Sequence, residues 1–497
     1  MKKMNLLAMS LVSAAALSFS SCSNNDDLTG GGTQSQADGV YMTLKISGAT
    51  SHGTRTSVTD GKTTTDNGSV AESTITEGMM YIYDGPTCVF RKVITKDMFE
   101  TAPTQTTSGV TKPIKVAVTG AITTGKKYDV YFLANRTNVD NPIAATSIFT
   151  SNTGGADFAT DNKFVMFNQN DGTKAAAHSK VEFTDAAKSD KSPAAADEIK
   201  LDRVVARIDR PSFAETVTTV TPATDTKTSI NVADVVAGIS YEGFAVSNLN
   251  NNSYVMQNWD TNFKTLNVKW GEPKYSLPKS TYGTLYNAEG LANFDTKEKP
   301  VSWKYAFENT TTDVNDATAV YFKVKVALTE TAMAASDFKD GTFYRYDGRL
   351  YTSIKAIFDN AATGEISNPF TETNSITPAD VVAKISDADG KLTTDEAKLA
   401  KFRQDYKIEV YRQGTMYYRW AISDNAYKPF VASDPTHTYS VLRNSIYRLN
   451  VTKVSEIGKD VPNGPEPDDP IKNPNFYMNV TVSINPWVLN AQPIELK

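Results

Sequence analysis

The sequence predicts a mainly β protein of two successive antiparallel β-sandwich domains, and three observations carry that expectation. Short runs in which apolar and polar residues alternate recur along most of the chain, the period-2 signature of half-buried strands. Connections rich in Thr, Asn, Asp and Gly separate them, where βαβ units would need regular helices. The length, 497 residues, exceeds what one ordinary hydrophobic core organises.

At the N-terminus, Lys2 and Lys3 precede an apolar stretch, Leu6 to Phe19, too short to span a bilayer. Ser20 and Ser21 lead into Cys22, and Asn24, Asn25, Asp26 and Asp27 follow. Residues 1–21 therefore read as a lipoprotein signal with Cys22 as the acylation point, although Phe19 stands where Leu is usual. The alternative is an ordinary secretory signal with an incidental cysteine. Gly30 to Gln36 forms a flexible tether. Val40, Met42, Leu44 and Ile46 then alternate as a strand that ends in the loop Ser47 to Thr54. Arg55, the first arginine of the chain, stands beyond that strand in a Gly/Ser/Thr setting open to proteases, whereas Lys45 lies inside it. Cleavage between Arg55 and Thr56 is expected, making residues 22–55 a propeptide with a removable strand. Arg55 as an ordinary loop residue is the alternative.

Residues 56–210 are expected to form the first sandwich. Its strands are Met79–Tyr83, turning through Asp84-Gly85 into Cys88–Ile94, then Ile114–Val118, Tyr128–Leu133 and Arg203–Pro211, with a helix over Asn141–Phe149. Residues 211–457 form the second, with strands Ile239–Val246, Ala319–Leu328, Tyr406–Arg412, Met416–Ile422 and Ile446–Val451. Helices are expected over Pro378–Ile385 and Thr394–Phe402. In Ala319–Leu328, Val320, Phe322, Val324 and Val326 face one way, and Tyr321, Lys323 and Lys325 the other.

Residues 458–475 form a spacer in which Pro462, Pro465, Pro467 and Pro470 keep the chain extended and Asp468 and Asp469 keep it solvated. The final segment, 476–497, carries Phe476, Met478, Val480, Val482 and Ile484 in strict alternation; Pro486 would end regular pairing and Trp487 could anchor the far end. A strand on such a spacer either pairs with its own domain or reaches a neighbouring molecule.

Signals for chemistry are weak. The net charge of −5 and the absence of a long basic run argue against a nucleic-acid partner. With Cys22 acylated, Cys88 has no disulfide partner and reads as a small core residue. His52, His178 and His437 lack metal-ligand spacing. Gly120 to Lys127 has the spacing of a phosphate loop but Lys127 where Ser or Thr would hold Mg²⁺, and a strand follows it, so it reads as a hairpin connection. Asp387, Asp389, Gly390 and Glu396 fall at positions 3, 5, 6 and 12 of a calcium loop, but Ile385 occupies position 1. Helix capping accounts for the same region: Thr377 with Pro378 and Asp380, then Thr393 with Glu396 as a capping box. No cofactor or metal is expected, and no residue set supports an enzyme.

The chain resembles the shaft subunits (fimbrillins) of Bacteroidales type V fimbriae, of the minor-fimbrium type. The resemblance rests on the leader through Cys22, Tyr41 to Ile46 with Thr54-Arg55, Val130-Tyr-Phe-Leu-Ala-Asn135, Arg203-Val-Val-Ala-Arg207, Met416-Tyr-Tyr-Arg-Trp420, Val441-Leu-Arg-Asn-Ser-Ile-Tyr447, the Pro/Asp spacer and the ending Met478 to Val488. It implies two tandem transthyretin-like sandwiches, export as a lipoprotein to the outer membrane, trypsin-like maturation and polymerisation by donor-strand exchange. The implied partners are identical subunits, accessory anchor and tip subunits, the protease and, for the precursor, the outer membrane; the implied location is a surface fimbrium. The expected function is therefore a structural shaft subunit with Phe476 to Ile484 and Trp487 as donor strand. The competing expectation is a non-polymerising tip adhesin or glycan-binding surface lipoprotein, for which Trp259, Trp270 and Trp303 could form a platform.

Overall fold

The computed structural model describes residues 39–48, 66–67, 69, 71–100, 113–144, 146–170, 179–213, 232–258, 274–275, 303–311, 317–371, 375–422, 439–454, 457–461 and 478–488. Its N-terminal half runs through β1 (Val40–Leu44), β2 (Ile46–Gly48), β3 (Asp66–Asn67), β4 (Gly78–Asp84), β5 (Thr87–Ile94), β6 (Ile114–Val118) and β7 (Lys127–Ala134). It continues through β8 (Ile148–Thr150), β9 (Met166–Asn168), β10 (Ser179–Glu182), β11 (Ala194–Ala195), β12 (Ile199–Arg203) and β13 (Ala206–Asp209).

Two sheets share the first core. One has the order β11-β1-β6; the other runs β2-β12-β9-β7-β4-β5, with β10 beside β7. The alternation in β1 and β6 is explained by one-sided burial: Met42, Leu44, Val116 and Val118 enter the same core as Met80, Ile82, Val130 and Phe132.

The second core lies between two further sheets. Val236–Ser247, Ala319–Leu328 and Thr415–Ala421 form one; Trp303–Ala306, β13, Ser445–Val454, Met478–Val488 and β3 lie side by side in the other. Ala319–Leu328 places Val320, Phe322, Val324 and Val326 in the core as expected, but Tyr321 on the opposite face is buried too, so burial alternates only from Lys323 onward. Its antiparallel neighbour Thr415–Ala421 follows only after an insertion, residues 329–414. That insertion has a core of its own, in which helices Ile354–Ala362, Pro378–Lys384 and Glu396–Tyr406 contribute Ile354, Ile357, Val381, Leu399 and Phe402. Among the described residues no helix is long and apolar enough to cross a membrane.

Several local expectations change. Arg203–Pro211 is two strands, β12 and β13, which belong to different sheets. Between them the Val204 N–H donates to the Val165 carbonyl and the Val205 carbonyl accepts from the Asn444 N–H, so the chain crosses over there. The first core cluster accordingly holds Val204 and Val205, and the second begins with Ala206. Asn141–Phe149 is not a helix. The Asn141 carbonyl takes the Ser147 hydroxyl in a tight turn, and β8 pairs with Asn252–Tyr254. Gly120–Lys127 links two sheets instead of closing a hairpin, because β6 pairs with β1 and β7 with β4. Tyr406 ends a helix, Lys407 takes a left-handed conformation (φ 56°), and only Glu409–Tyr411 is strand.

The helix starts divide. Thr377 and Asp380 form a capping box around Pro378. The next helix is capped instead by Asp395, which accepts from the Ala397 and Lys398 N–H groups, while Glu396 pairs with Arg412 at 2.6 Å.

Candidate functional site

The N-terminal strand is seated between two others. β1 is antiparallel to β6 from Val40↔Val118 to Leu44↔Ile114, and parallel to β11 at Met42↔Ala194 and Thr43↔Ala195. β2 carries the same segment on beside β12, with Ile46 opposite Ile199. The side chains of Val40, Met42, Leu44 and Ile46 are buried, while Tyr41, Thr43 and Lys45 are half-exposed. Withdrawing this segment strips backbone partners from three strands and opens an apolar slot flanked by Ile114, Val116 and Val118.

The C-terminal strand, Met478–Val488, lies antiparallel to Ser445–Val454 of its own chain, from Val454↔Met478 to Ser445↔Pro486. Its last residues, Trp487 and Val488, pair in parallel with Asp66 and Asn67 of β3. Pro486 therefore does not stop the pairing, which continues on the other edge. Met478, Val480, Val482, Ile484 and Trp487 are thus on one strand; Phe476, Cys22, Arg55 and Thr56 lie outside the described residues. Gly458–Val461, expected as the start of the spacer, are held by the body: the Tyr417 and Lys459 backbones exchange hydrogen bonds at 2.7 and 2.9 Å, and Asp460 is buried.

The remaining motif residues meet in a buried polar network between the two cores. Arg207 holds Glu72 through Nη1, at 3.1 and 3.2 Å from its two carboxylate oxygens, and Tyr305 donates its hydroxyl to Glu72 at 2.9 Å. Asp209 accepts from Arg207 Nε at 2.7 Å and from Arg448 Nε at 2.8 Å. Arg203, with no exposed surface, donates to the Glu72 carbonyl (2.8 Å), Ser73 Oγ (3.0 Å) and Asn444 Oδ1 (3.2 Å). Burial pulls its guanidinium down to about 9 against the opposing charges of Glu72 and Asp202. Asn135, at φ 59°, accepts from the Thr76 N–H (2.9 Å) and donates to the carbonyls of Thr74 (2.9 Å) and Phe164 (2.7 Å). Arg443 pairs with Glu308 at 2.8 Å.

Asn135, Arg203, Arg207 and Asn444 are therefore structural: they fasten the segment around Glu72 and join the cores. Glu72 carried no sequence signal, since it lies in a polar run and its partners are far away in the chain. Glu72→Ala removes one of the two carboxylates on Arg207 and the acceptor of the Tyr305 hydroxyl, so it is expected to cost about 1–3 kcal/mol, read as a lowered urea midpoint with unchanged slope. A loss under about 1 kcal/mol would contradict this role for Glu72.

The chemical candidates lead elsewhere. Asp387 Oδ1 accepts from the N–H groups of Asp389 and Lys391 within its own turn, and Glu396 is committed to Arg412. Among the described residues no group of His, Cys, Asp and Glu could hold a metal ion. Cys88 is half-buried against the first core. His52, His178, His437, Trp259 and Trp270 lie outside the described residues. Trp303 is 36% exposed, with the Arg207 guanidinium 4.8 Å from its ring centre.

These features define a mainly β protein whose two terminal segments are strands seated in different sheets. Its C-terminal region is similar to that of fimbrillins: residues 409–493 match the sequence model of the family described as "Major fimbrial subunit protein type IV, Fimbrillin, C-terminal". That match supports a fimbrial or adhesion function for the chain. The matched stretch runs from Glu409 through the whole of Met478–Val488. Among solved structures, a protein of Parabacteroides distasonis ATCC 8503 assigned to cell adhesion is similar at 13% identity, covering 92% of this chain and 99% of that one, with TM-score 0.41. A fimbrilin of Porphyromonas gingivalis W83 is similar at 15% identity, covering 91% and 99%, with TM-score 0.39. The tip fimbrial protein Mfa3 of Porphyromonas gingivalis, with a C-terminal truncation, is similar at 10% identity, covering 90% and 100%, with TM-score 0.32. No curated protein matches the chain.

Proposed function

We propose that this chain is the polymerising shaft subunit of a surface fimbrium, matured by proteolysis and assembled by exchange of its terminal strands. The observation that carries the reading is the seat of β1. Four buried side chains at i, i+2, i+4 and i+6 fill the slot, three between β6 and β11 and Ile46 beside β12, and Met478, Val480, Val482 and Ile484 repeat that spacing. Four such side chains contribute roughly 6–12 kcal/mol on burial before ordering costs.

In this reading the precursor is anchored in the outer membrane through acylated Cys22. A trypsin-like protease cuts between Arg55 and Thr56, and β1 and β2 leave with the lipid. The segment Phe476 to Ile484, continuing through Trp487, fills the slot of the next subunit, for which Met478–Val488 leaves its place beside Ser445–Val454. Strand addition gives main-chain hydrogen bonds for affinity and alternate side chains for register. A head-to-tail contact that does not close yields an open filament, to which anchor and tip subunits add ends. Two tandem sandwiches, 56–210 and 211–457, are the bodies so strung together.

The test is an unboiled gel of surface protein. A heat-labile, SDS-resistant ladder supports the polymer; a single monomer band supports the non-polymerising adhesin or glycan-binding lipoprotein. Fatty-acid labelling that disappears in Cys22→Ala supports the anchor, and labelling that persists refutes it.

A further inference from the structure

The root of the C-terminal tail, residues 457–461, is gripped on two sides. On one side its backbone pairs with Tyr417 of the second-core sheet. A Cβ on Gly458 would stand 2.5 Å from the Tyr417 carbonyl oxygen, so only glycine fits that approach. On the other side the contacts all come from the insertion. Arg345 Nη1 donates to the Ile457 carbonyl at 3.0 Å, and the Tyr411 hydroxyl donates to the Gly458 carbonyl at 2.8 Å. Lys459 Nζ reaches Glu409 at 3.2 Å, and Glu409 is also held by Arg345. Asp460 Oδ2 accepts from the Val410 N–H at 2.9 Å and pairs with Arg403 of the helix Glu396–Tyr406, both side chains being almost wholly buried.

This is an expensive way to hold a chain that has already left its strand at Val454. Buried ion pairs add little net stability over apolar packing, because both charges are desolvated. What they do provide is a fixed position. We infer that the insertion, residues 329–414, is a clamp for the tail: Arg403 and Glu409 are positioning residues that hold Lys459 and Asp460, so that the tail pivots only beyond Val461. The inference rests on the reading of the tail as the strand given to the next subunit, and it assigns the insertion its part in that contact. From Val461 to Phe476 the chain spans at most about 50 Å when extended. Were the root to slip back to Val454, roughly 20 Å of slack would enter every joint of the filament. The clamp sets the length of the joint and takes the load when the filament is pulled.

The test uses mature, polymerised protein carrying Asp460→Asn, with Lys459→Ala as the milder second variant should the first not fold. The expected result is a ladder like that of the unaltered protein, amide exchange at Tyr417 and Lys459 about tenfold faster, and filaments of shorter persistence length on electron micrographs. Exchange in Ala319–Leu328 stays unchanged. Filaments as stiff as before, or unaltered exchange at Lys459, overturn the clamp. Loss of the ladder from the unaltered protein overturns the strand-exchange reading itself, and the clamp with it.

Discussion

A chain ending before Phe476 is expected to fold, to be exported and to be cleaved, but to build no fibres. Removal of residues 476–497 takes away the only segment that the proposed exchange can offer to a neighbour, while the acceptor slot between β6 and β11 is untouched. The truncation exposes one edge of Ser445–Val454, yet that strand keeps β13 and Ser212–Phe213 as parallel partners. Tyr447, Leu449 and Val451 therefore remain in the second core. The body should melt cooperatively, and N-terminal sequencing should still find Thr56 first. A bare sheet edge makes association of the truncated monomers a real hazard, so amorphous aggregate has to be separated from ordered filaments by microscopy. Fibres of normal length from this truncation would show that another segment is the donor.

Changing Arg55 to Ala gives an equally large effect from the opposite end. The proposed cleavage being blocked, the precursor is expected to keep β1 and β2 in the slot and to form no polymers although the C-terminal strand is intact. Stability moves the other way. A cleaved monomer that has found no neighbour lacks the burial of Val40, Met42, Leu44 and Ile46, roughly 6–12 kcal/mol, and melts well below the uncut precursor. Thermal melts of cut and uncut protein, beside an unboiled gel, measure both consequences. Normal polymerisation of Arg55→Ala would exclude cleavage at that bond as the trigger.

What the sequence disclosed follows from how burial writes itself into a chain. β1, β6 and the second half of Ala319–Leu328 bury one face and leave the other more open, so they alternate and can be read directly. The division of Arg203–Pro211 could not be read, because the change of sheet at Val204-Val205 depends on Val165 and Asn444. The insertion was under-read for a different reason. Its helix Ile354–Ala362 carries Ile354, Ile357, Phe358 and Ala361 at helical spacing behind a Ser353 cap, a visible signal, but its strands are too short to show a period. The slot itself was half legible. The alternating segment that fills it is written in the sequence, whereas its parallel neighbour β11 is two alanines long. The Glu72 network was illegible, since charged partners spread over the whole chain leave no local pattern.

The attachment of β1 to the body it completes also sets a clock. A strand joined to its own slot by a short length of chain competes at an effective concentration on the order of millimolar, whatever the concentration of other subunits. A free donor in the micromolar range therefore loses to it by about a thousandfold even when its side chains fit equally well. Under the proposed maturation, subunits can be stored and carried outward at high density without joining, because the competition ends only when the bond after Arg55 is cut. On that proposal, growth of the filament is governed by a covalent, irreversible event and not by how much protein has accumulated on the way.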